Sequence, residues 1–241
     1  MSLTVAHGEL TRVLPWAIRA LGYAFGTADR AARLVTDAAA VDPALLDRIA
    51  TAAPRAAGTP RWTFAEGCLH YDAAGLSLLE AGPAVMDFLA ARAGEAPVVE
   101  ARLTAAAEPF LLGAALLAGA AHGLSVVALA EGGWQAAAGT RLATGRGAAA
   151  LSGPLGEAAS RRAAAPGAEI VILAAAAPGA LGLPQDARDT GAALAEAFAR
   201  GIPVSAETLA ALYALETVTW APTSERSRAQ AGFTPRPVPA S

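Results

Sequence analysis

The chain contains no lysine; all 18 of its basic side chains are arginine. Without a side-chain amine no Schiff base can form, which excludes covalent pyridoxal-phosphate chemistry. The lysine-bearing phosphate loop G-x-x-x-x-G-K-[ST] is absent for the same reason. Cys68 is the only cysteine. An intramolecular disulfide and any thiolate-rich zinc or iron–sulfur site are thereby excluded. His7, His70 and His122 are the only histidines and stand far apart, so no metal site is expected. The expectation is a protein with no bound cofactor. Charge is also scarce: 16% of residues are charged and the formal net charge is −3. No basic stripe occurs, and phosphate backbones need one, so a nucleic-acid partner is not expected.

Apolar residues make up 54% of the 241 positions, enough for a sizeable core and too many for disorder. Phe110 to Ala130 is nearly all apolar over about the length of a bilayer crossing. His122-Gly123 interrupts it, and Ser-Val-Val-Ala-Leu at 125–129 has the character of a strand. A helix followed by a buried strand accounts for the run, so no membrane partner is expected. The first residues lack the charged and apolar regions of a signal peptide, and a cytoplasmic location is the corresponding expectation.

The N-terminal third is patterned as helix. Leu10, Val13, Leu14, Ile18 and Leu21 form an apolar stripe at helical spacing. Thr4 is expected to cap this helix, Pro15 to kink it and Gly22 to stop it. Thr27 and Asp42-Pro43 open further helices. Short strands are expected at 62–64 and 68–71, and a helix at 84–93 after Gly82-Pro83. Another helix should run from Glu108-Pro109 to Gly123. Strands follow at 125–130, 134–138 and 148–152. Glu169–Ala175 reads as a central strand covered on both faces. Asp186 and Ser205 should open the last two helices. Helices, then strands, then helices argue for an α+β fold: an N-terminal helical subdomain followed by a mixed or antiparallel sheet packed with helices. The expected division is 1–53 helical, 54–234 α+β and 235–241 a flexible proline-rich tail.

Polar chemistry concentrates near the C-terminus, in Trp220-Ala-Pro-Thr-Ser-Glu-Arg-Ser-Arg228. If helical after Pro222, Ser224 and Arg228 share a face, and Arg228 can fork onto a carboxylate. Ser224, Ser227 and Arg228 are the candidate substrate-binding residues, and Glu225 is a candidate proton carrier. The alternative is a helix cap with a surface Glu225–Arg228 pair. Asp87 is the second candidate acid–base group; the alternative is an Asp near the positive end of a helix. Cys68 and His70 alternate as same-face strand neighbours, but no third residue orients the imidazole, and packing is the simpler reading. Gly145-Arg-Gly147 reads as a turn.

The order of several short elements carries a resemblance. Leu3-Thr-Val-Ala-His-Gly-Glu-Leu, then Ala-Leu-Gly-Tyr-Ala-Phe-Gly-Thr-Ala-Asp-Arg, Ala81-Gly-Pro-Ala-Val-Met-Asp87, and Pro222-Thr-Ser-Glu-Arg-Ser-Arg228 resemble an uncharacterised bacterial family, domain of unknown function 3726. That label implies no activity. The chain departs from its pattern after Gly232. A fainter similarity is to the malate/L-lactate dehydrogenase type-2 family, in its opening capped helices and in Pro222 to Arg228. That family's His-Gly element after the second helix is missing here: His7-Gly8 and His122-Gly123 stand elsewhere.

The residues point first to a protein that binds a small carboxylate-bearing metabolite, or acts on it by acid–base chemistry. Two other readings stand beside it. One is a non-catalytic subunit that packs on itself, as a homo-oligomer, or on a partner protein. The other is a divergent NAD(P)-dependent oxidoreductase.

Overall fold

The computed structural model describes residues 2–130, 133–162, 169–177 and 179–219. The fold is α+β, with helices packed on a largely antiparallel sheet. The polar segment at 220–232 and the expected tail at 235–241 lie outside the described residues.

Three helices open the chain after a short strand: β1 (Ser2–Val5), α1 (His7–Ala20), α2 (Phe25–Val41) and α3 (Ala44–Ala50). The expected stripe is buried, with Leu10, Val13, Leu14 and Ile18 all fully enclosed. Asp42-Pro43 opens α3 as expected, with Asp42 Oδ1 accepting from the Ala44 N–H at 3.2 Å, but Thr27 falls inside α2 and Thr4 caps no helix. Thr4 lies in β1, which pairs antiparallel with β10 (Ile202–Ser205), about two hundred residues away. Pro15 sits inside α1 without ending it, because the helix is held by its buried face rather than by each backbone bond.

The main sheet has eight strands in the order β2-β3-β4-β8-β5-β6-β7-β9. They are β2 (Arg61–Ala65), β3 (Cys68–Asp72), β4 (Val99–Thr104), β5 (Ser125–Ala130), β6 (Gly133–Ala138), β7 (Arg141–Arg146), β8 (Ile170–Ala175) and β9 (Arg188–Asp189). Among them only β3 and β4 pair in parallel. One face packs on the N-terminal helices and on α4 (Leu78–Arg92) and α5 (Leu112–Ala121). The other face is covered over β5, β6 and β8 by α6 (Gly153–Arg162). Two cores result. Ile172 and Ala174 of β8 enter the first, and Leu173 and Ala175 the second. This accounts for the unbroken apolar run of β8.

Several boundaries differ from expectation for local reasons. α4 starts at Leu78, where Ser77 Oγ accepts from the Leu79 N–H at 3.0 Å, so Pro83 falls inside it. Gly82 is needed where α4 meets α5: a Cβ there would lie 2.9 Å from that of Ala115. β7 occupies 141–146, and the strand expected at 148–152 is instead a 3-10 turn at Ala148–Ala150. β4 was not anticipated, although Val99, Ala101 and Leu103 alternate inward. α7 (Thr190–Arg200) opens with Asp189 as its cap, not at the expected Asp186, because residues 188–189 first form β9; α8 (Ala206–Val218) opens with Ser205, as expected. The apolar run from Phe110 divides into α5 and β5. No described helix is long and apolar enough to cross a membrane.

Candidate functional site

β3, β4 and β5 run in the same direction, since β8 lies antiparallel to both β4 and β5. Their carboxyl ends, Asp72, Thr104 and Ala130, meet one edge of the sheet. β6 begins there at Gly133 and β7 ends there at Arg146.

The backbone is strained at this edge. Ala74 follows β3 with φ 51°, and Ala105 and Glu108 follow β4 with φ 52° and 59°. A left-handed non-glycine residue costs of order 1–3 kcal/mol and persists only where its surroundings impose it. Here the two loops are joined. Ala73 donates to the Thr104 carbonyl at 2.9 Å, Gly75 to that of Ala105 at 2.8 Å, and Ala107 to that of Leu76 at 3.0 Å. Asp72 Oδ1 accepts from the Ala74 N–H at 2.9 Å. Ser77 Oγ donates to the Glu108 carboxylate.

The helical N-terminus braces these loops. Arg55 meets Glu80 of α4 through two hydrogen bonds, at 2.7 and 2.9 Å. Its backbone N–H donates to the Leu21 carbonyl at 2.7 Å. Tyr23 is buried; that burial pushes its phenol up, partly opposed by its contact with Ser77. Gly58 admits the carbonyl of Ala74 where any Cβ would stand 2.1 Å from that oxygen.

Two clefts open on the edge. The first lies on the α5 face and holds about 330 Å³. Its floor comes from three adjacent strands at same-face positions: Ala128 and Ala130, Gly133 and Gln135, Thr144 and Arg146, with Leu112 at the start of α5. Gln135 stands opposite Thr144, and Gly133 opposite Arg146. With no side chain across from it, the Arg146 guanidinium has room for a ligand beside it. Arg146 forms no ion pair among the described residues. The cleft thus offers a cation, an amide and a hydroxyl over an apolar floor, and no carboxylate among its described lining residues.

The second cleft, of about 320 Å³, lies on the opposite face, where α6 does not reach. Arg61, His70, Asp72, Arg102, Thr104 and Glu169 line it. Its charges largely cancel. Arg102 is held by Glu100 at 2.9 Å and by Glu169 at 3.3 Å, and Arg162 binds the same Glu100 at 2.7 Å. Cys68 and His70 do share this face of β3, as their alternation implied. The thiol is buried; burial and then the Glu100 charge push its pKa up, so it is a thiol rather than a nucleophilic thiolate.

Asp87 lies on the exposed side of α4, about 13 Å along the helix from Leu78 at 1.5 Å per residue. It pairs with Arg30 of α2 at 2.8 Å, with His122 at 4.0 Å, and lines neither cleft. Ser224, Glu225, Ser227 and Arg228 lie outside the described residues. Sequence reasoning did not single out Gln135, Thr144 or Arg146. The signal was the alternation of Thr144 and Arg146 beside the expected 134–138 strand, hidden by reading Gly145-Arg-Gly147 as a turn. β7 includes Gly145 and Arg146, and the chain turns at Gly147, whose φ is 72°. Among the described residues no group of three or more His, Cys, Asp or Glu converges as metal ligands would.

No protein-family model and no curated protein matches the chain, so the resemblance to domain of unknown function 3726 stands on the residues quoted above alone. Solved structures do match. The chain is similar to malate dehydrogenase from Entamoeba histolytica, with 9% identity, TM-score 0.63, and 92% of this chain and 100% of that one covered. It is similar to malate dehydrogenase from Pyrococcus horikoshii, with 10% identity, TM-score 0.63, and 90% and 95% covered. It is similar to delta1-piperideine-2-carboxylate reductase from Pseudomonas syringae, with 14% identity, TM-score 0.59, and 88% and 99% covered. At such identities the likeness is one of fold, and it agrees with the fainter of the two sequence resemblances: the chain folds as malate/lactate dehydrogenase-type proteins do.

Proposed function

We propose that the protein binds a small carboxylate-bearing metabolite in the α5-face cleft. Arg146 takes the carboxylate, and Thr144 and Gln135 fix its orientation. The observation that carries this reading is Arg146 placed across from Gly133, with no described acid beside it, above a floor of Ala128 and Ala130. A guanidinium presents a planar fork that matches a carboxylate's two oxygens. The small floor residues leave room for a short carbon chain. The names of the structural neighbours agree in substrate class: malate and piperideine-2-carboxylate are carboxylates. Glu225 remains a proposed proton carrier, and Ser224, Ser227 and Arg228 further proposed ligand contacts; Asp87, which lines neither cleft, could carry a proton only at a separate site.

The fold likeness favours a second reading, a nicotinamide-dependent reductase of such acids. The described lining of the α5-face cleft does not fit a dinucleotide. A pyrophosphate needs a glycine-rich helix start or several cationic donors. The helix start at this cleft is Pro109-Phe-Leu-Leu112, and one arginine lines the cleft. Among the described residues lining the cleft there is no histidine or acid to exchange a proton with a substrate carbonyl. Ligand binding is therefore the primary reading.

The test is thermal stabilisation and calorimetry of the full chain with small mono- and dicarboxylates, and separately with NADH and NADPH. Saturable stabilisation by a carboxylate, lost in Arg146→Met, is the expected result. No response to any carboxylate, or an unchanged response in Arg146→Met, overturns the reading. A response to NADH or NADPH alone favours the reductase.

A further inference from the structure

The eight-stranded sheet ends very differently on its two sides. β9 is a two-residue edge made of Arg188 and Asp189, short and charged, as protected edges are. β2 is five residues long, regular in register and exposed along its whole length. It carries no bulge and no central charge. Trp62 is 63% exposed and Phe64 38%. The Phe64 ring is already fixed from behind by Phe88, at 5.4 Å between centroids, and by the Arg92 guanidinium at 4.5 Å.

The free hydrogen-bonding groups of β2 can be assigned. Ala65 and Cys68 flank a two-residue turn, Glu66-Gly67, with φ 53° and 76°. Positive φ at both positions marks a type I′ turn. Such a turn is closed by a hydrogen-bonded pair, so Ala65, Thr63 and Arg61 direct their N–H and C=O groups to β3. Trp62 and Phe64 direct theirs outward.

We infer that this edge is a self-pairing surface, on which a second copy of the chain adds its own β2 antiparallel about Thr63. In that register Trp62 of each copy faces Phe64 of the other as a hydrogen-bonded pair, and every outward N–H of the strand is used. Shifting the register toward the strand's start would place Pro60, which has no N–H, in the ladder. The arrangement has the two-fold symmetry of most homodimers, each surface being its own complement. Charge agrees as well. Arg61 lies across from the small Ala65 of the second copy and beside its Glu66, and the reverse holds. The two Trp62 rings, which meet no other ring among the described residues, gain aromatic cross-strand partners.

The test uses the full chain. Light scattering should give about twice the monomer mass of 24.0 kDa. Trp62→Pro removes an outward N–H and leaves the β2–β3 bonds, so it should give a monomer with an unchanged circular dichroism spectrum. Thr63→Cys places a thiol on the two-fold axis. Residues opposed in a non-hydrogen-bonded pair lie about 4.5 Å apart at Cα, within disulfide reach. With Cys68 buried, mild oxidation should yield a covalent dimer through residue 63, and this second readout holds even if Trp62→Pro fails to fold. A monomer at every concentration tested overturns the inference. So does a dimer that neither cross-links in Thr63→Cys nor dissociates in a folded Trp62→Pro, since it uses another surface. A monomer whose Trp62 and Phe64 amides resist hydrogen exchange also overturns it, because another segment of the same chain then covers the edge.

Discussion

Arg55 and Glu80 face each other as a fork, Nε to Oε2 at 2.7 Å and Nη2 to Oε1 at 2.9 Å, and so tie the segment after the helical N-terminus to the first turn of α4. Both side chains are about three-quarters buried. The Glu80 carboxylate holds the Arg55 guanidinium more firmly protonated than usual. Arg55→Met should therefore lower stability by about 1–3 kcal/mol, because a largely buried carboxylate loses its donors. Denaturant titration will measure it. The loss should change little with salt, unlike that of an exposed pair.

Arg146→Lys keeps a charge at the α5-face cleft but removes the planar fork. Carboxylate affinity should fall roughly tenfold to a hundredfold, the worth of about 1.5–3 kcal/mol for a charged hydrogen bond. The melting temperature without ligand should stay close to that of the parent, since Arg146 forms no described ion pair. Calorimetry on both proteins checks the pair of outcomes.

The C-terminal cluster separates from this site by mutation. Arg228→Lys should weaken the ligand response and spare the fold if Arg228 touches ligand. Ser224→Ala should cost ~1 kcal/mol if Ser224 caps a helix. Loss of stability in Ser224→Ala with an unchanged ligand response in both variants would assign the segment to capping. Asp87→Asn is the companion: as one half of an exposed ion pair with Arg30 it should cost only ~0–1 kcal/mol. A fall in turnover with affinity retained would instead make it a proton carrier.

Alkaline pH should destabilise the fold. Burial raises the Cys68 thiol and the phenols of Tyr23 and Tyr71, and the Glu9 carboxylate raises that of Tyr213. A group raised in the folded state is still protonated when its unfolded counterpart ionises. Stability is then lost as pH climbs from the unfolded values, about 8.5 for Cys and about 10 for Tyr, through the higher folded ones. Glu9 acts with the opposite sign. Its pKa is lowered by hydrogen bonds from Arg12 and then Tyr213, so its contribution is lost as pH falls below about 4.3. Chemical denaturation from acid to alkali should show both limbs.

Two glycines should respond in opposite ways. Gly58→Ala puts a Cβ 2.1 Å from the Ala74 carbonyl oxygen, which is backbone and cannot swing aside. A loss of about 1–3 kcal/mol or more is expected, as for overpacking. Gly8→Ala, in α1 with nothing within 4 Å, should instead stabilise by up to ~1 kcal/mol. Thermal melts of the two variants give the comparison directly.

What the sequence determined by itself was whatever depends on period and composition. The apolar stripe of α1, the unbroken run of β8 and the division of the Phe110–Ala130 stretch were legible because burial selects side chains at fixed spacing. The absence of lysine and of a second cysteine bounded the chemistry before any fold was known. Tertiary structure decided what rests on partners distant in the chain. Thr4 suits a helix cap, yet it lies opposite Pro203 in β1–β10, because the strand that pairs with its segment comes from about two hundred residues further along the chain. Pro83 looks like a helix start, yet Ser77 caps α4 earlier, where Glu108 from the neighbouring loop holds the Ser77 hydroxyl in place. The α5-face cleft was hidden for the same reason. Gly133 lies thirteen residues before Arg146, and nothing local in either segment says that strand pairing sets one across from the other; that opposition leaves the guanidinium room for a ligand.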